Sequence, residues 1–469
     1  MPISSALPAR CQGAAAFLST SSSTGTANLF AGTITDLFRI TPGDAYVWQN
    51  VTRVASPYSV SSDEYWEFEF FNNSVLASNL DTAIQTIDIT SGTNFADLSA
   101  SAPKARHMAV VKNSFLMLGF TDDPIDGNQP QRVWWSAAGD ATSWPSPGGI
   151  TAAQVQSGYF DLLGDGGAVQ AIRSGLVSAD ALVFQQFAVR RAVYAGPPQV
   201  FEFLPVENAR GTPAPWSPVV VGGTCYYRGQ DGWYANDGSA STPIGVNKID
   251  KFFEADANAS TIFRMVGAAD PVGKMVWWLY ISNASPDGNP DRMLGYNWQL
   301  QRWCIVYLSL EYLAKFIGIG YTLDELYTVL GYTLDNLPAP LDSPIWAGGG
   351  LSLGVFDQAH TLNYLTGPAL AATIETQEIE PIPGRRTLVT NARPLIDGSG
   401  AGGPAVSIAH RERQIDQPTY SPAAPINFLG FCPGRASGRY LRAQQTVAAG
   451  GDWRNWSGVA LDMVQQGSR

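Results

Sequence analysis

The residues best suited to chemistry in this chain are carboxylates that stand beside aromatic rings. Glu64 and Glu67 flank Tyr65 and Trp66, Asp231 precedes Trp233, and Asp452 adjoins Trp453. Glycoside cleavage uses two carboxylates in a sugar-binding cleft, one as acid and one as base or nucleophile. Their separation is spatial, so sequence alone does not pair them, and in a strand-rich chain each also reads as a turn or edge charge. A second acidic group, Asp122, Asp123, Asp126 and Asn128, crowds one loop. It lacks the alternate ligands and closing Glu of a calcium loop and reads as a polar hairpin tip. Residues 270–275 (DPVGKM) and 162–169 (LLGDGGAV) lack the setting of a phosphate loop or dinucleotide fingerprint. The three histidines, His107, His360 and His410, and the four isolated cysteines, Cys11, Cys225, Cys304 and Cys432, show no zinc spacing. Cys225 and Cys304 sit in apolar runs and read as small buried hydrophobes. His107 and His410 sit in strand-like runs and read as structural. The expectation is no catalytic residue, no metal and no cofactor.

The elements that must position these residues are strands. A strand–turn–strand unit recurs along the chain, as at 28–40, 73–89, 113–137, 181–196, 223–238, 274–299 and 315–331. Its runs are β-branched and aromatic and end at Gly, Asn or Asp. The turn signals Asn73-Ser74 and Asn113-Ser114 lie 40 residues apart, and Trp48, Phe95 and Trp144 follow one another at 47 and 49 residues. A period of 40–50 residues with several short strands per repeat is the pattern of propeller blades. The expected fold class is all-β: a β-propeller of about six blades, then a C-terminal antiparallel β platform. The expected domains are an N-terminal arm over 1–27, the propeller over 28–345 and a basic β unit over 346–469. One helix is expected over 246–259, with Ile249, Phe252 and Phe253 on its apolar side.

Composition narrows the function classes. The chain has 469 residues, 45% of them hydrophobic and only 15% charged, with 47 glycines and 31 prolines. That profile gives many turns and few solvated helices. The net charge is -11, which disfavours nonspecific binding to nucleic acid, because such binding neutralises phosphates with Lys and Arg. No run of apolar residues is long enough for a membrane helix, and no membrane insertion is expected. The charge is uneven: residues 384–469 hold ten arginines and five acids. Arg385, Arg386, Arg411, Arg413, Arg435, Arg439 and Arg442 fall there in alternating runs. They are the candidate interface residues, since the planar guanidinium binds carboxylates at two points and is weakly hydrated. The simpler reading is that they balance acids of the same chain.

The segment VWWSAAGDATSWPSP (133–147) resembles the W-S-x-x-G-D-x-x-x-W segment of bacteriophage tail hub, or nozzle, propellers, the packaged-DNA stabilisation proteins of short-tailed phages. Further segments are similar in the same order: 180–203, 211–253, 363–378, 393–398 and 438–469. The resemblance covers roughly 28–469 and leaves the first residues without a counterpart. It implies a structural virion protein, made in the bacterial cytoplasm and placed in the tail. It implies a homohexameric ring below the portal and its adaptor protein that extends the DNA channel, retains the packaged genome and takes part in ejection. Its implied partners are copies of itself, the adaptor, tail fibres or spikes and a tail needle, and genomic DNA that passes without sequence-specific binding. The alternative from another class is a glycan-binding or glycan-cleaving propeller.

Overall fold

Both sides of the strand Phe115–Asp123 are buried. Phe115 and Met117 point into one apolar cluster with Val169 and Val183, while Leu116 and Leu118 point into another with Leu76 and Trp134. Successive strand residues face opposite ways, so a sheet made of such strands must be covered on both faces. The computed structural model describes residues 2–19, 26–41, 46–55, 57–317, 327, 331, 333–337, 341, 351–365, 369–398, 403–451 and 453–466. It divides into two units, residues 1–365 and 366–469.

Among the described residues the first unit contains seven four-stranded antiparallel sheets. Their innermost strands are Ala14–Ser19, Glu67–Phe71, Lys104–Val111, Val169–Ser174, Val219–Val221, Val266–Asp270 and Tyr312–Ile317. Each touches the next, and the seventh touches the first. The unit is therefore a seven-bladed β-propeller. Apolar clusters lie between blades: Phe30, Trp66 and Phe95 join blades 1 and 2, and Leu182, Phe184 and Tyr227 join blades 4 and 5. The turns at 72–73 and 112–113 join the first two strands of blades 2 and 3 at matching places. Lys112 and Asn113 both take positive φ there. Trp48, Phe95 and Trp144 also match, each buried before the outer strand of its blade. Trp48 stacks on Phe356 of blade 7, Phe95 meets Phe30 of blade 1, and Trp144 shares a cluster with Leu76 of blade 2. Each thus reaches the preceding blade.

Four expectations are corrected. Residues 1–27 are not an arm throughout: Ala14–Ser19 is the inner strand of blade 1 and Pro2–Ala6 the outer strand of blade 7, which brings the blades to seven. The run AAAFLS carries little strand propensity, yet it pairs along its whole length with Thr26–Gly32. The boundary falls at 365/366 rather than 345/346, since Leu351–Phe356 and Thr361–Tyr364 complete blade 7. The helix is shorter than expected, Asp250–Asp256, with a 3-10 turn over Ala259–Arg264. Phe253 is buried but Phe252 is exposed. Cys304, on the outer strand of blade 6, is exposed while Cys225 is buried. Part of the expected unit at 315–331 and the pair partner Asp452 lie outside the described residues.

Pro2–Ala6 runs antiparallel to Thr361–Tyr364, so the two ends of the unit share one blade. Ser4 and Ser5 side chains accept from the Trp48 indole and backbone N–H at 3.1 Å each, which fastens blade 7 to blade 1. Gly13 stands where this segment turns inward: a Cβ there would lie 2.4 Å from the Trp66 carbonyl oxygen.

The second unit is a two-sheet sandwich. One sheet orders Ala372–Glu375, Tyr440–Val447, Ala405–Arg411 and Thr419–Tyr420, with Ala424–Pro425 beside the third of these. The other orders Cys432–Gly438, Thr387–Gly398 and Trp453–Gln465. Val389, Ala436, Ile408 and Leu441 meet between the sheets. This is the antiparallel C-terminal unit expected from the alternating runs.

Deleting residues 1–6 removes the outer strand of blade 7 and its clasp on Trp48. The expected cost is about 3 kcal/mol or more, read as a lower urea midpoint, with hydrogen exchange rising first in Leu351–Phe356 and Thr361–Tyr364. An unchanged midpoint would show that closure does not depend on this strand.

Candidate functional site

Seven inner strands leave one edge of each facing the propeller axis, with backbone groups that no further strand pairs. Around that axis lies a cavity of about 430 Å³, lined from six of the seven inner strands or their approaches, and an adjoining recess of about 180 Å³ shares Glu69, Arg173 and Tyr312 with it. The walls mix small residues, such as Ala14, Ala15, Ala16 and Gly267, with Phe17, Phe68, Tyr312, Glu69, Arg173 and Lys315. A larger depression of about 520 Å³ sits at Lys248 and Leu300–Trp303, in blade 6 and its approach, and contains no carboxylate.

Charge enters the axial cavity from Glu67–Phe71 in blade 2. Phe68 and Phe70 pack toward blade 1, so Glu67 and Glu69 share the opposite side. Glu67 Oε1 lies 2.9 Å from Arg173 Nη1 of blade 4, and Glu67 Oε2 accepts from the Met108 N–H at the inner edge of blade 3 at 2.8 Å. Arg173 also donates through Nε to the Pro218 carbonyl at 2.8 Å. The one carboxylate therefore bridges three blades. His107 is wholly buried beneath it, with Nδ1 3.4 Å from Glu67 Oε1 and neither ring nitrogen in a well-aligned hydrogen bond.

These contacts push neighbouring carboxyls apart. Burial raises Glu67, but Arg173, His107 and the Met108 N–H outweigh it and hold the group down to about 2. Burial and the Glu67 charge together push Glu69 up to about 8, against the pull of Arg173. Burial lowers His107, so it is held toward the neutral form in spite of Glu67.

The expected carboxylate candidates do not gather in one cleft. Glu64 forms a two-point pair with Arg106, with Nε and Oε2 3.1 Å apart. Glu67 is held as described, which makes it an axial bridge rather than a turn or edge charge. Asp231 pairs with Arg210 at 3.3 Å and accepts from the Tyr234 hydroxyl. The acidic loop at 122–128 is a hairpin tip, and Arg132 gathers Asp123, Asp126 and Asp161 at 2.6–2.9 Å under the Tyr159 ring. Among the described residues no group of three or more His, Cys, Asp or Glu is placed to hold a metal, and no helix is long and apolar enough to cross a membrane. Sequence reasoning missed Glu69 and Arg173. EFEFF reads as ordinary strand alternation, and the partner that makes Glu67 special lies 106 residues away.

The candidate arginines all lie in the sandwich unit, and five have acids there. Arg411 makes a two-point pair with Glu378, its Nε 2.7 Å from Oε1. Arg413 pairs with Asp416 at 2.9 Å, Arg386 with Glu412 at 2.8 Å and Arg442 with Glu375 at 3.1 Å; Arg439 reaches Glu412 only at 4.0 Å. Tyr420 ties Arg442 further, its hydroxyl accepting from Arg442 and donating to Glu375. Arg385 and Arg435 are exposed, with no ion pair among the described residues. Glu375, Glu378 and Glu380 belong to the same unit, which lowers its excess of arginine over acid from five to two.

No family model and no curated protein matches the chain. Among solved structures it is similar to a fungal alcohol oxidase of the AA5 family in complex with copper (8% identity, 97% of this chain and 99% of that one, TM-score 0.38). It is similar also to the exo-beta-1,3-galactanase of Phanerochaete chrysosporium (9%, 99% and 99%, TM-score 0.28). A third likeness is to the WD40 beta propeller domain of Doa1 (9%, 62% and 88%, TM-score 0.29). At these identities and scores the likenesses carry no argument about function.

Glu69 favours its neutral form in the folded protein. Stability therefore falls as pH rises from the ordinary glutamate range through 8, where the folded chain must give up that proton. Glu69→Gln should remove this slope and exceed the wild type by about 1–3 kcal/mol above pH 8. Urea unfolding of both proteins from pH 5 to 9 checks it, and parallel curves would mean that Glu69 titrates as an ordinary surface group. Glu67 acts oppositely: its contribution is present above the ordinary range and is lost as pH falls toward 2.

Proposed function

We propose that this chain is the subunit of a bacteriophage tail hub, a nozzle ring below the portal and adaptor that extends the DNA channel, retains the packaged genome and serves its ejection. The observation that carries this reading is the ordered series of tail-hub-like segments, taken with what the most characteristic of them does. In VWWSAAGDATSWPSP the Ser136 hydroxyl accepts from the Leu116 N–H at 3.1 Å, and Gly139 donates its N–H to the Ser114 carbonyl at 2.7 Å. Asp140 accepts from the Thr142 N–H and hydroxyl, and Trp134 meets Trp144 edge to face at 6.3 Å between blades 2 and 3. The Asn72 amide of blade 2 donates to the Gly139 carbonyl at 3.3 Å. The Asn72–Gly139 bond and the tryptophan packing join blades 2 and 3, while Ser136, the Gly139 N–H and Asp140 fix the loop of blade 3 itself, and both uses suit a framework protein.

The charge distribution supports the same reading. A closed ring of identical subunits needs two different flanks that fit each other. The propeller unit is acidic, while the sandwich unit carries exposed Arg385 and Arg435. An acidic conduit also offers no phosphate contacts to hold a passing duplex.

Native mass measurement tests the proposal. A hexamer, about six times 50.3 kDa, is expected, and a monomer at all concentrations would overturn it. Reversing both Arg385 and Arg435 to Glu should return the ring to single subunits while leaving the circular dichroism spectrum unchanged. Arg442→Glu instead breaks an internal pair and should cost about 1 kcal/mol of folding stability. A ring that survives the double reversal would remove these two residues from the interface.

A further inference from the structure

Glu69 differs from the other carboxylates described above. Glu64, Glu67, Asp123, Asp161 and Asp231 each face an arginine, whereas no cation lies within ion-pair distance of Glu69 among the described residues. Its one polar partner is the N–H of Phe70. It lines a cavity of about 430 Å³, a volume that suits a small ligand. Phe17, Phe68 and Tyr312 line the same space, amid the alanines. Two cations line the same space, Arg173, which is taken by Glu67, and Lys315, and neither forms an ion pair with Glu69 among the described residues.

We propose that the axial cavity of the propeller binds an organic cation, an ammonium head with a compact apolar body, with Glu69 as its counter-ion and Phe17, Phe68 and Tyr312 as its surrounding rings. Aromatic faces attract a weakly hydrated cation. A divalent metal ion fits less well, because it needs several oxygen ligands and a single free carboxylate stands here. An anion also fits less well, since Arg173 already gives Nη1 to Glu67 and Nε to the Pro218 carbonyl.

The site has a pH signature. Glu69 is pushed up to about 8, and binding a cation must displace its proton. The other ionisable groups at the cavity are Glu67 on the same strand, Arg173 from blade 4, and Tyr312 and Lys315 from blade 7; His107 of blade 3 faces Glu67. Burial raises Tyr312 and Glu67 raises Arg173, while Glu67 is held down to about 2. Glu69 is therefore the carboxylate that titrates there between pH 6 and 9.

Tetramethylammonium is the probe, because its own charge does not change with pH. Titration followed by calorimetry should give saturable binding that strengthens about tenfold per pH unit from 6 to 8 and levels off above. Neopentyl alcohol, similar in shape but neutral, should bind at least tenfold more weakly at pH 9. Glu69→Gln should lower the affinity for the cation at least tenfold at pH 9 and flatten the profile. The absence of saturable binding to the wild type, binding independent of pH, or equal binding of the neutral analogue would each overturn the proposal. The profile and the analogue need only the wild-type protein, so the test stands even if the variant does not fold. It is also independent of ring assembly, which is read by mass.

Discussion

Every blade of this propeller has two apolar faces, and a sheet with two apolar faces has no stable place in water by itself. Phe115 and Leu116 are adjacent in sequence and lie in different cores. The same holds for Phe30, which packs toward blade 2, and Leu29, which packs toward blade 7. Burial of a large apolar side chain is worth about 1.5–3 kcal/mol, but the gain on the last face is realised only when the seventh blade meets the first. The meeting of Pro2–Ala6 with Thr361–Tyr364 is thus the contact on which the other interfaces depend.

Closure also explains the polar chemistry at the axis. Seven inner edges converge with unpaired backbone groups, and buried backbone groups need partners. Glu67 supplies one to Met108 and is in turn neutralised by Arg173, so a buried ion pair replaces what a further strand would have provided. A buried pair is weak evidence of net stability. Its clearer effect is on its neighbour, because a fixed negative charge on one side chain makes ionisation of the next along the strand costly.

The fold was legible where the signal is local. Aromatic runs, paired turn residues and the spacing of Trp48, Phe95 and Trp144 all report one blade at a time, and each holds in the structure. Ala14–Ser19, though its partner is the next strand, was illegible as a strand because its alanines look indifferent, and Pro2–Ala6 because its partner lies more than three hundred residues away. The axial cavity was hidden for the same reason. Glu64 and Glu67 stood out beside Tyr65 and Trp66, but only the fold separates the arginine-bound Glu67 from the unpaired Glu69. The basic C-terminal region was visible as composition. The acids at 375 and 378 that neutralise much of it stood just outside the window in which the charge was counted.

The bond from the Leu362 N–H to the Ser4 hydroxyl joins residues 358 positions apart. During synthesis the strand that completes blade 7 leaves the ribosome before every other strand of its unit, and its partners are among the last of them. Until then the nascent chain carries the inner face of blade 1 uncovered and a free edge on residues 2–6, both of which are templates for pairing with another chain. Long-range closure of this kind is slow relative to local hairpins. Crowded polysomes, where several copies wait at once, are therefore where such a chain is most exposed to exchanging its first strand with a neighbour, and slower initiation should favour the correctly closed ring.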